Sequence, residues 1–536
     1  MKLKIFLFSF AILLWPKIVH AQDLGVQMNK VAQTLFYLQN YYLDSVDISK
    51  LAEQVIINAI SELDPHSAYI SAKDVRAANE PLEGNFEGIG IEFSIIMDTL
   101  VVVAPVVGGP SESVGILAAD RIIAVNDTSI TRIGLTNEHV YALLRGAKGT
   151  KVGISVVRKG VKDPLHFEIT RDKIPINSLE AAYEALPDIA YVRLTRFSFT
   201  TMTEFIDAIS DKFKRKPKGV ILDLRGNPGG VMETALQITE QFLEKEKLMV
   251  YMEGVHVPRQ EWLSSGFGFF IYTPVVVLID EGSASASEIL AGALQDWDRA
   301  VIIGRRSFGK GLVQNQLTLN DGAQIRLTMA RYHTPTGRVI QTPYDRGDSE
   351  GYYRNLIDRY RRGEQFSKDS IHFIDSLSYS TLLNSRTVFG GGGIMPDIFV
   401  PQDTTGYSFY WSQMIRMGIV VEFMNRYIDG VRPSLSKSYK QFNAFNKGYQ
   451  IPDTVIEELV AFAETKDLPR DDEGLRNSLP LIRIQLKALV ARTLFDSSAY
   501  AQIINEWNDP AYNKALEVIQ DWNRYEREVL SRPTGI

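Results

Sequence analysis

Apolar residues recur at three- and four-residue spacing near both ends of the chain, a pattern typical of amphipathic helices. At the start it covers residues 27–80, which include VAQTLFYLQNYYL and ISKLAEQVIINAISEL. It returns across residues 403–536, in segments such as TVIEELVAFAE and PLIRIQLKALVARTLF. We therefore predict helical N- and C-terminal regions. The C-terminal region carries no recognisable motif, so packing helices are our interpretation, with oligomerisation and partner binding left open.

Between these regions the pattern changes twice. Residues 85–175 contain short apolar runs such as LVVVAPVV and KVGISVVRKG, which are separated by Gly, Pro and Asp. This spacing predicts a compact, mostly β module that includes a short helix at 136–146. Residues 178–345 instead alternate strands such as GVILDLRG and PVVVLID with helices such as VMETALQITEQFLEKE, within a predicted domain of residues 178–402. Such alternation predicts an α/β domain with a mostly parallel sheet.

The first residues, MKLKIFLFSFAILLWPKIVHAQD, combine two lysines with an apolar run that is short for a bilayer span. We interpret residues 1–21 as a secretory signal peptide, with an uncleaved membrane anchor as the alternative. Cleavage after Ala21 removes three lysines and no acid, which changes the formal charge from −6 to −9. An acidic chain without a basic tract has no general affinity for nucleic acid.

The chain has no cysteine. This excludes disulfides, a thiolate nucleophile and thiolate metal sites. At 536 residues the chain is long enough to be stabilised by its core alone.

Two strand-to-helix junctions are candidate sites for chemistry, DLRGNPGGV at 223–231 and DEGSASASEI at 280–289. Ligands of open parallel sheets bind beyond the carboxyl ends of the strands. A helix N-terminus there presents unpaired N–H groups, and two adjacent junctions can stabilise a developing oxyanion. Gly229 and Gly230 allow close approach of the backbone, since they carry no Cβ.

Three serines alternate in the second junction, and only one stands where the helix begins. Ser285-Ala-Ser-Glu288 matches a capping box, so Ser285 is predicted to be the N-cap. Ser283 falls in the approaching turn, and Ser287 points elsewhere from the first helical turn. Taken alone, a serine that only caps the helix is the more common case. If one of the three is a nucleophile, the geometry favours Ser285, beside the N–H of Ala286.

A serine nucleophile needs a base. Histidine is the usual one, but the chain has seven, and none lies in a strand-end motif; His333 is a weak candidate. Lys310 in GRRSFGKGLVQ follows an apolar strand and lies between two glycines. A lysine acts as a base when burial lowers its pKa. Gln314, four residues further on, is predicted to hydrogen-bond the amine of Lys310.

GRRSFGK also matches the spacing of a phosphate-binding loop. Gly311 stands where that motif needs Ser or Thr, and LVQNQLTL reads as a strand instead of a helix. Both departures argue against nucleotide binding.

GSASASEILAGALQD and GRRSFGKGLVQ, with DLRGNPGG upstream, closely resemble the C-terminal processing peptidases, or tail-specific proteases. The resemblance covers most of residues 30–400 and includes a 25-residue spacing from Ser285 to Lys310. It implies a crotonase-like mixed sheet with helices and a serine endopeptidase with a Ser-Lys dyad. Ser285 is then the nucleophile, Lys310 the base and Gln314 its orienting residue. The oxyanion hole consists of Ala286 and either Gly229 or Gly230.

The β module resembles the PDZ domain that is inserted in members of this family. Its loop Gly88-Ile89-Gly90-Ile91 is similar to a carboxylate-binding loop, whose N–H groups capture a chain terminus while the next strand edge pairs with the peptide. A PDZ-like spacer without peptide affinity is the alternative.

These features together predict an exported protein of the periplasm or cell envelope that binds polypeptides with accessible C-termini and cleaves them without a metal or cofactor. A membrane partner is expected only if the signal segment stays uncleaved. The competing interpretation is a catalytically silent scaffold that captures C-termini. The sequence leaves the substrate and the oligomeric state open.

Overall fold

The computed structural model describes residues 16–531, apart from 96–97, 107, 118–119, 159, 214 and 373–376, with side chains from residue 24 onward. Most of the predicted signal peptide, residues 1–15, therefore lies outside the described residues. The chain divides into two compact units. The smaller unit comprises residues up to 73, together with 314–328 and 344–354, and the larger unit contains the remainder. No helix in the described ranges combines the length and apolar character that a bilayer crossing needs.

The smaller unit contains the predicted N-terminal helices. Its elements are α1 (Pro16–Tyr41), α2 (Ile48–Ser61) and β1 (Ala68–Ile70). Asp47 caps α2, since its carboxylate accepts hydrogen bonds from the N–H groups of Ser49 and Lys50. β1 pairs antiparallel with residues 324–326, with Tyr69 opposite Ile325.

The larger unit begins with α3 (Val75–Glu83) and continues into the predicted β module. Its elements are β2 (Asn85–Gly88), β3 (Ile91–Ile95), β4 (Leu100–Pro105), α4 (Pro110–Ser113), β5 (Arg121–Val125), β6 (Thr128–Ser129), α5 (Asn137–Leu144), β7 (Lys151–Val157), β8 (Leu165–Thr170) and β9 (Asp172–Pro175). The main sheet has the order β3-β4-β5-β7-β8, so β3 is an edge strand, while β2 pairs with β9. Alternate residues of β7, Val152, Ile154 and Val156, enter the module's core because successive side chains of a strand face opposite sides.

The predicted α/β domain follows. Its strands and helices are β10 (Leu179–Leu186), β11 (Ile189–Leu194), α6 (Thr201–Lys212), β12 (Gly219–Asp223), α7 (Met232–Glu240), β13 (Leu248–Gly254), β14 (Val257–Leu263), β15 (Val275–Ile279), α8 (Ala286–Asp296), β16 (Val301–Gly304), β17 (Leu312–Thr318), β18 (Gln324–His333), α9 (Ser349–Arg361), β19 (Ser378–Ser380), β20 (Thr387–Phe389) and β21 (Ile398–Phe399). The boundary between the two units falls inside β17, β18 and α9.

The central sheet has the order β10-β11-β12-β15-β16-β21 and is parallel except for its first pair. Every residue of β12 and β15 is buried, as expected for parallel strands covered on both faces. One face packs against α7 and α8, and all residues of α8 are buried. The carboxyl ends of β12, β15 and β16 therefore lead into the loops at one edge of the sheet.

The predicted helix at 231–246 is shorter than its apolar pattern suggested. It ends at Glu240, after which Gln241, Phe242 and Leu243 form tight i to i−3 hydrogen bonds. Phe242 and Leu243 are buried in the core, and the carbonyl of Gln241 accepts from the N–H of Phe270. Tertiary packing thus overrides the helical period here.

The C-terminal region is helical, as predicted, with α10 (Phe409–Arg416), α11 (Ile419–Ser438), α12 (Phe442–Gly448), α13 (Asp453–Glu464), α14 (Asp472–Leu494), α15 (Ser497–Asn508), α16 (Pro510–Gln520), α17 (Trp522–Tyr525) and a final π turn. Helices α10 to α15 share a core of their own. Helix α16 packs Tyr512, Ala515 and Val518 against the second face of the central sheet. Part of this region therefore completes the α/β domain.

Candidate active site

The two predicted junctions lie side by side, because hydrogen bonds join their loops. Asp280 Oδ1 accepts from the N–H groups of Gly226 and Gly282. The carbonyl of Asn227 accepts from the N–H of Ala284 and from the hydroxyl of Ser287, both at 3.0 Å. These bonds hold the Asn-Pro-Gly-Gly turn against the turn that precedes α8.

Of the three alternating serines, two are used for this connection. Ser283 donates its hydroxyl to the carbonyl of Leu224 at 2.8 Å, and Ser287 donates to Asn227. Both side chains are fully buried. Of the three, Ser285 is therefore the serine at the N-terminus of α8, as predicted from the sequence.

Ser285 is the N-cap of α8, but its backbone is not that of an ordinary cap. Its φ is 55° and its ψ is −114°, whereas N-cap residues normally have extended backbones. A residue other than glycine with positive φ is strained, and such strain concentrates at functional sites. The sharp turn resembles the strained strand-to-helix turn that exposes the nucleophilic serine of α/β-hydrolases.

Glu288 connects Ser285 to the loop that carries Lys310. Its Oε2 accepts from the N–H of Ser285 at 2.8 Å and from the N–H of Lys310 at 2.9 Å. Its Oε1 accepts from the hydroxyl of Ser307 at 2.5 Å and from the N–H of Gly309 at 2.7 Å. The capping box predicted only the first of these bonds. One carboxylate therefore holds the Ser285 turn and the Lys310 loop together.

Burial raises the pKa of Glu288 to about 7, although the four donors oppose this by stabilising the carboxylate. Only the ionised carboxylate can accept from all four donors at once. The connection is therefore strongest where Glu288 is deprotonated.

Tyr332 links the same two residues from the carbonyl side. Its hydroxyl donates to the carbonyl of Lys310 at 2.7 Å and lies 3.2 Å from the carbonyl of Ser285. Burial raises the pKa of Tyr332 well above its ordinary value, so the hydroxyl stays protonated and remains a donor. Residues 285 and 310, far apart in sequence, are thus joined by both their N–H and carbonyl groups.

The glycines at 229 and 230 lie against this turn. A Cβ on Gly229 would come within 2.9 Å of Ser285 Cβ and of the Ala286 nitrogen, and its φ is 95°. A Cβ on Gly230 would come within 2.0 Å of the Phe197 carbonyl oxygen. The N–H of Gly229 already donates to Asn227 Oδ1 at 2.9 Å. Backbone crowding therefore requires glycine at both positions.

The loop of Lys310 does not have the geometry of a phosphate-binding loop. The N–H groups of Gly309 and Lys310 point to Glu288, and that of Gly311 points to the side chain of Gln341. A strand, β17, follows the loop in place of a helix. Its amides are thus already bonded to acceptors of the protein.

Gln314 belongs to the smaller unit. Its amide donates to the carbonyl of His66 at 2.6 Å, within the turn that follows Asp64-Pro65. Asp64 holds this turn by accepting from the N–H groups of His66 and Ser67 and from the hydroxyl of Thr328. No sequence pattern indicated this partner. An orienting role for Gln314 toward Lys310 stays a prediction.

His333, the weak alternative for a base, lies on a different sheet. Its ring stacks on Tyr251 with centroids 4.5 Å apart and bonds through Nδ1 to the carbonyl of Gly337. It therefore has structural partners on β13 and in the following turn.

In the β module, the predicted peptide loop connects β2 with the edge strand β3. The carbonyl of Ile89 accepts from the N–H and hydroxyl of Ser111, and that of Gly90 accepts from the N–H of Val106. Both carbonyls are therefore bonded to other residues of the module. Gly88 ends β2, and Ile91 begins β3.

Beside β3 lies α5. The rings of Phe93 on β3 and Tyr141 on α5 meet edge to face with centroids 5.8 Å apart. An exposed pair of Glu92 and Arg492 also links β3 to α14 at 3.4 Å. The loop, the edge strand β3 and helix α5 therefore lie next to one another.

Several regions of the chain are similar to known proteins. Residues 188–346 match peptidase family S41, residues 101–158 match the PDZ domain, and residues 410–496 match DUF8443, a family of unknown function. The chain is 35% identical over 324 residues to a carboxy-terminal-processing protease of Bartonella bacilliformis, covering 60% of this chain and 74% of that protein. It is also 35% identical over 317 residues to carboxy-terminal processing protease CtpA of Bacillus subtilis, covering 59% and 66%. Among solved structures, the photosystem II D1 C-terminal processing protease is similar, with 29% identity, a TM-score of 0.34 and coverage of 58% and 83%.

Proposed function

Because this chain belongs to peptidase family S41 and is a serine-type peptidase with a PDZ domain, we propose that it is an exported endopeptidase that cleaves polypeptides with a Ser285–Lys310 dyad. The observation that carries the proposal is the double connection of these two residues through Glu288 and Tyr332. A serine that only caps a helix does not require the loop of Lys310 to be bonded to it through both N–H and carbonyl groups.

In the proposed reaction, Ser285 Oγ attacks the carbonyl carbon of the scissile peptide bond. The neutral amine of Lys310 takes the hydroxyl proton and later gives it to the leaving amine. Water then hydrolyses the acyl-enzyme, which releases a peptide with a new carboxylate and restores Ser285. Gln314 is proposed to orient the lysine during these transfers.

The oxyanion hole is proposed to consist of the N–H groups of Ala286 and Gly230. Ala286 is the first residue of α8, where the helix dipole favours negative charge. Between the two glycines, Gly230 is favoured because the N–H of Gly229 already bonds to Asn227.

The PDZ domain is proposed to capture the C-terminal carboxylate of the substrate in the loop of Gly88, Ile89, Gly90 and Ile91. The peptide would add to β3 as a further strand, and the edge position of β3 supports this. Export is proposed from the basic start and apolar run of residues 1–21.

The test is cleavage of an unfolded protein, followed by the appearance of new amino groups and by mass spectrometry of the products. We expect Ser285→Ala and Lys310→Ala to abolish cleavage with unchanged melting curves. The exposed Lys245→Ala is the matched control and should behave as the wild type. Cleavage by Ser285→Ala at the wild-type rate would refute the dyad.

The role of the PDZ domain is tested with two versions of one peptide substrate, which carry a free carboxylate or a C-terminal amide. We expect the acid to be cleaved with the lower KM, since only the acid offers a carboxylate to the loop. A wild-type enzyme that binds the acid but cleaves no substrate would support the silent scaffold instead.

A further inference from the structure

A cavity of about 330 Å³ lies between the loop after β16 and residues 356–365. It is lined on one side by Glu281, Arg305, Arg306 and Phe308, which come from the loops after β15 and β16. These parallel strands end at the same edge of the sheet as the Ser285 turn. The N–H of Phe308 donates to the carbonyl of Ser283 at 3.0 Å, so the cavity wall is bonded to that turn.

The polar wall carries more positive than negative charge. Arg306, Arg359 and Arg362 all bond to the one carboxylate of Glu364, at 2.5, 3.1 and 3.2 Å. Nearby, Arg305 is balanced by Glu281 and, at 3.8 Å, by Asp280. Three guanidinium groups around one carboxylate leave an excess of positive charge, which favours binding of an anion.

Two buried polar atoms of this wall lack partners. Nε of Arg306 and Oε1 of Gln365 have no hydrogen-bond partner among the described residues. Gln365 is 7% exposed. A buried polar atom without a partner is costly, so each such atom in a folded protein needs an explanation. One is a donor and the other an acceptor, which together match a ligand with both an anionic oxygen and an N–H.

The opposite wall is apolar and reaches solvent. Leu356, Ile357 and Tyr360 line it, and the last two are 53% and 58% exposed. A ligand can therefore enter the cavity from solvent and contact this apolar surface.

We propose that this cavity binds the C-terminal residue of a peptide. Its α-carboxylate bonds to Arg306, its amide N–H donates to Gln365, and its apolar side chain contacts Ile357 and Tyr360. Inorganic phosphate offers only the anion, whereas a peptide end supplies all three features. The identity of the ligand rests on the proposed peptidase function, because cleavage at this edge of the sheet releases a new α-carboxylate.

The cavity is also connected to the lysine loop. Arg359 donates to the carbonyls of Arg306, Ser307 and Phe308 at 3.0 to 3.2 Å, and Ser307 in turn donates to Glu288. A ligand on Arg306 thus bonds to the segment that leads to Lys310.

The test is calorimetric titration of the full chain carrying Ser285→Ala, which prevents turnover. The probe is N-acetyl-leucine, with N-acetyl-leucinamide and N-acetyl-N-methyl-leucine as controls that lack the anion and the N–H. We expect one N-acetyl-leucine per chain. Both controls should bind about tenfold more weakly or worse, since each loses a hydrogen bond to a buried group.

Two cavity variants locate the binding. Arg306→Gln removes the anion partner but leaves Glu364 paired with two arginines, and Ile357→Asp places a negative charge on the wall. We expect at least tenfold weaker binding in each, whereas Ile415→Asp, at a similarly exposed isoleucine of α10, should bind as before.

Unchanged affinity in both cavity variants would overturn the proposal, since the carboxylate would then sit elsewhere, as in the PDZ loop. Equal binding of acid and amide, tighter binding of inorganic phosphate, or no binding of N-acetyl-leucine to the wild-type cavity would also overturn it. Because Ser285→Ala is used throughout, none of these results bears on whether the dyad cleaves peptides.

Discussion

Replacing Glu288 by glutamine tests whether one buried carboxylate aligns Ser285, the proposed nucleophile, with Lys310, the proposed base. The substitution keeps the shape of the side chain but converts one of two acceptor oxygens into a donor group. If the new NH2 faced Ser285 and Lys310, both of their N–H groups would lose an acceptor. We therefore expect the new NH2 to face Ser307 and Gly309. The hydroxyl of Ser307 can rotate and accept a hydrogen bond from it, whereas the N–H of Gly309 can only donate.

The structure sets the size of the effect. One buried N–H, that of Gly309, is left without an acceptor, which costs about 1–3 kcal/mol. If the lysine loop shifts to relieve this cost and the same free energy is added to the activation barrier, kcat falls about 5- to 160-fold. Glu288 is buried inside the protein and belongs to no substrate surface, so KM should change little.

Stability should change less than activity. The neutral amide removes the penalty of burying a charge, and this offsets part of the lost hydrogen bonding. When the fall in kcat is expressed as an increase in activation free energy, we expect that increase to exceed the change in unfolding free energy. A structural role alone would lower the two together.

The assay is peptide cleavage at pH 8, where Glu288 is ionised because its pKa is about 7. The matched control is Glu233→Gln, which changes an exposed glutamate in the first turn of α7 in the same way. A Glu288→Gln enzyme with kcat within about threefold of the wild type would refute the alignment argument, because about 1.4 kcal/mol separates rates that differ tenfold.

Three further predictions concern stability and the catalytic turn. Burial raises the pKa of Glu288 from 4.5 to about 7. Its contribution to the free energy of unfolding, about 3 kcal/mol, is therefore fully present below pH 4.5 and is lost as pH rises to about 7. Urea unfolding across this range should show a flatter pH dependence in Glu288→Gln. Gly229→Ala should abolish cleavage, since its Cβ would meet the Ser285 turn at under 3 Å, whereas Gly226→Ala, also at positive φ but with open space, should keep it. Arg338→Met should destabilise the fold by about 3–5 kcal/mol, because the buried carboxylate of Asp296 loses its only oppositely charged partner in the described ion pairs. Adding Asp296→Leu should restore part of that loss, and equal unfolding midpoints for the single and double variants would contradict this.

The C-terminal region shows how helices of no recognisable motif can still belong to a domain. Arg225, beside the Asn-Pro-Gly-Gly turn, bonds to both Asp223 and Asp509, and the latter caps α16. Despite its burial, Asp223 has its pKa lowered to about 2 by Arg225. Arg225, in the first junction, is thus held by the carboxylate of Asp509, which lies far along the chain.

The amino-acid sequence by itself determined the order of the helical, β and α/β regions and the two junctions where chemistry was expected. It also singled out Ser285, because the capping pattern Ser-Ala-Ser-Glu involves residues only three positions apart and can be recognised in the sequence alone. Local periodicity failed where packing intervened, as at the end of α7.

Only the tertiary structure decided what Glu288 does. Its partners Ser307, Gly309 and Lys310 lie in another loop, and Tyr332 reaches the site from β18. No local pattern specifies such contacts, because they depend on how parallel strands bring their following loops to one edge. The strained backbone of Ser285 has the same origin, since a positive φ there persists only while the surrounding loops hold it.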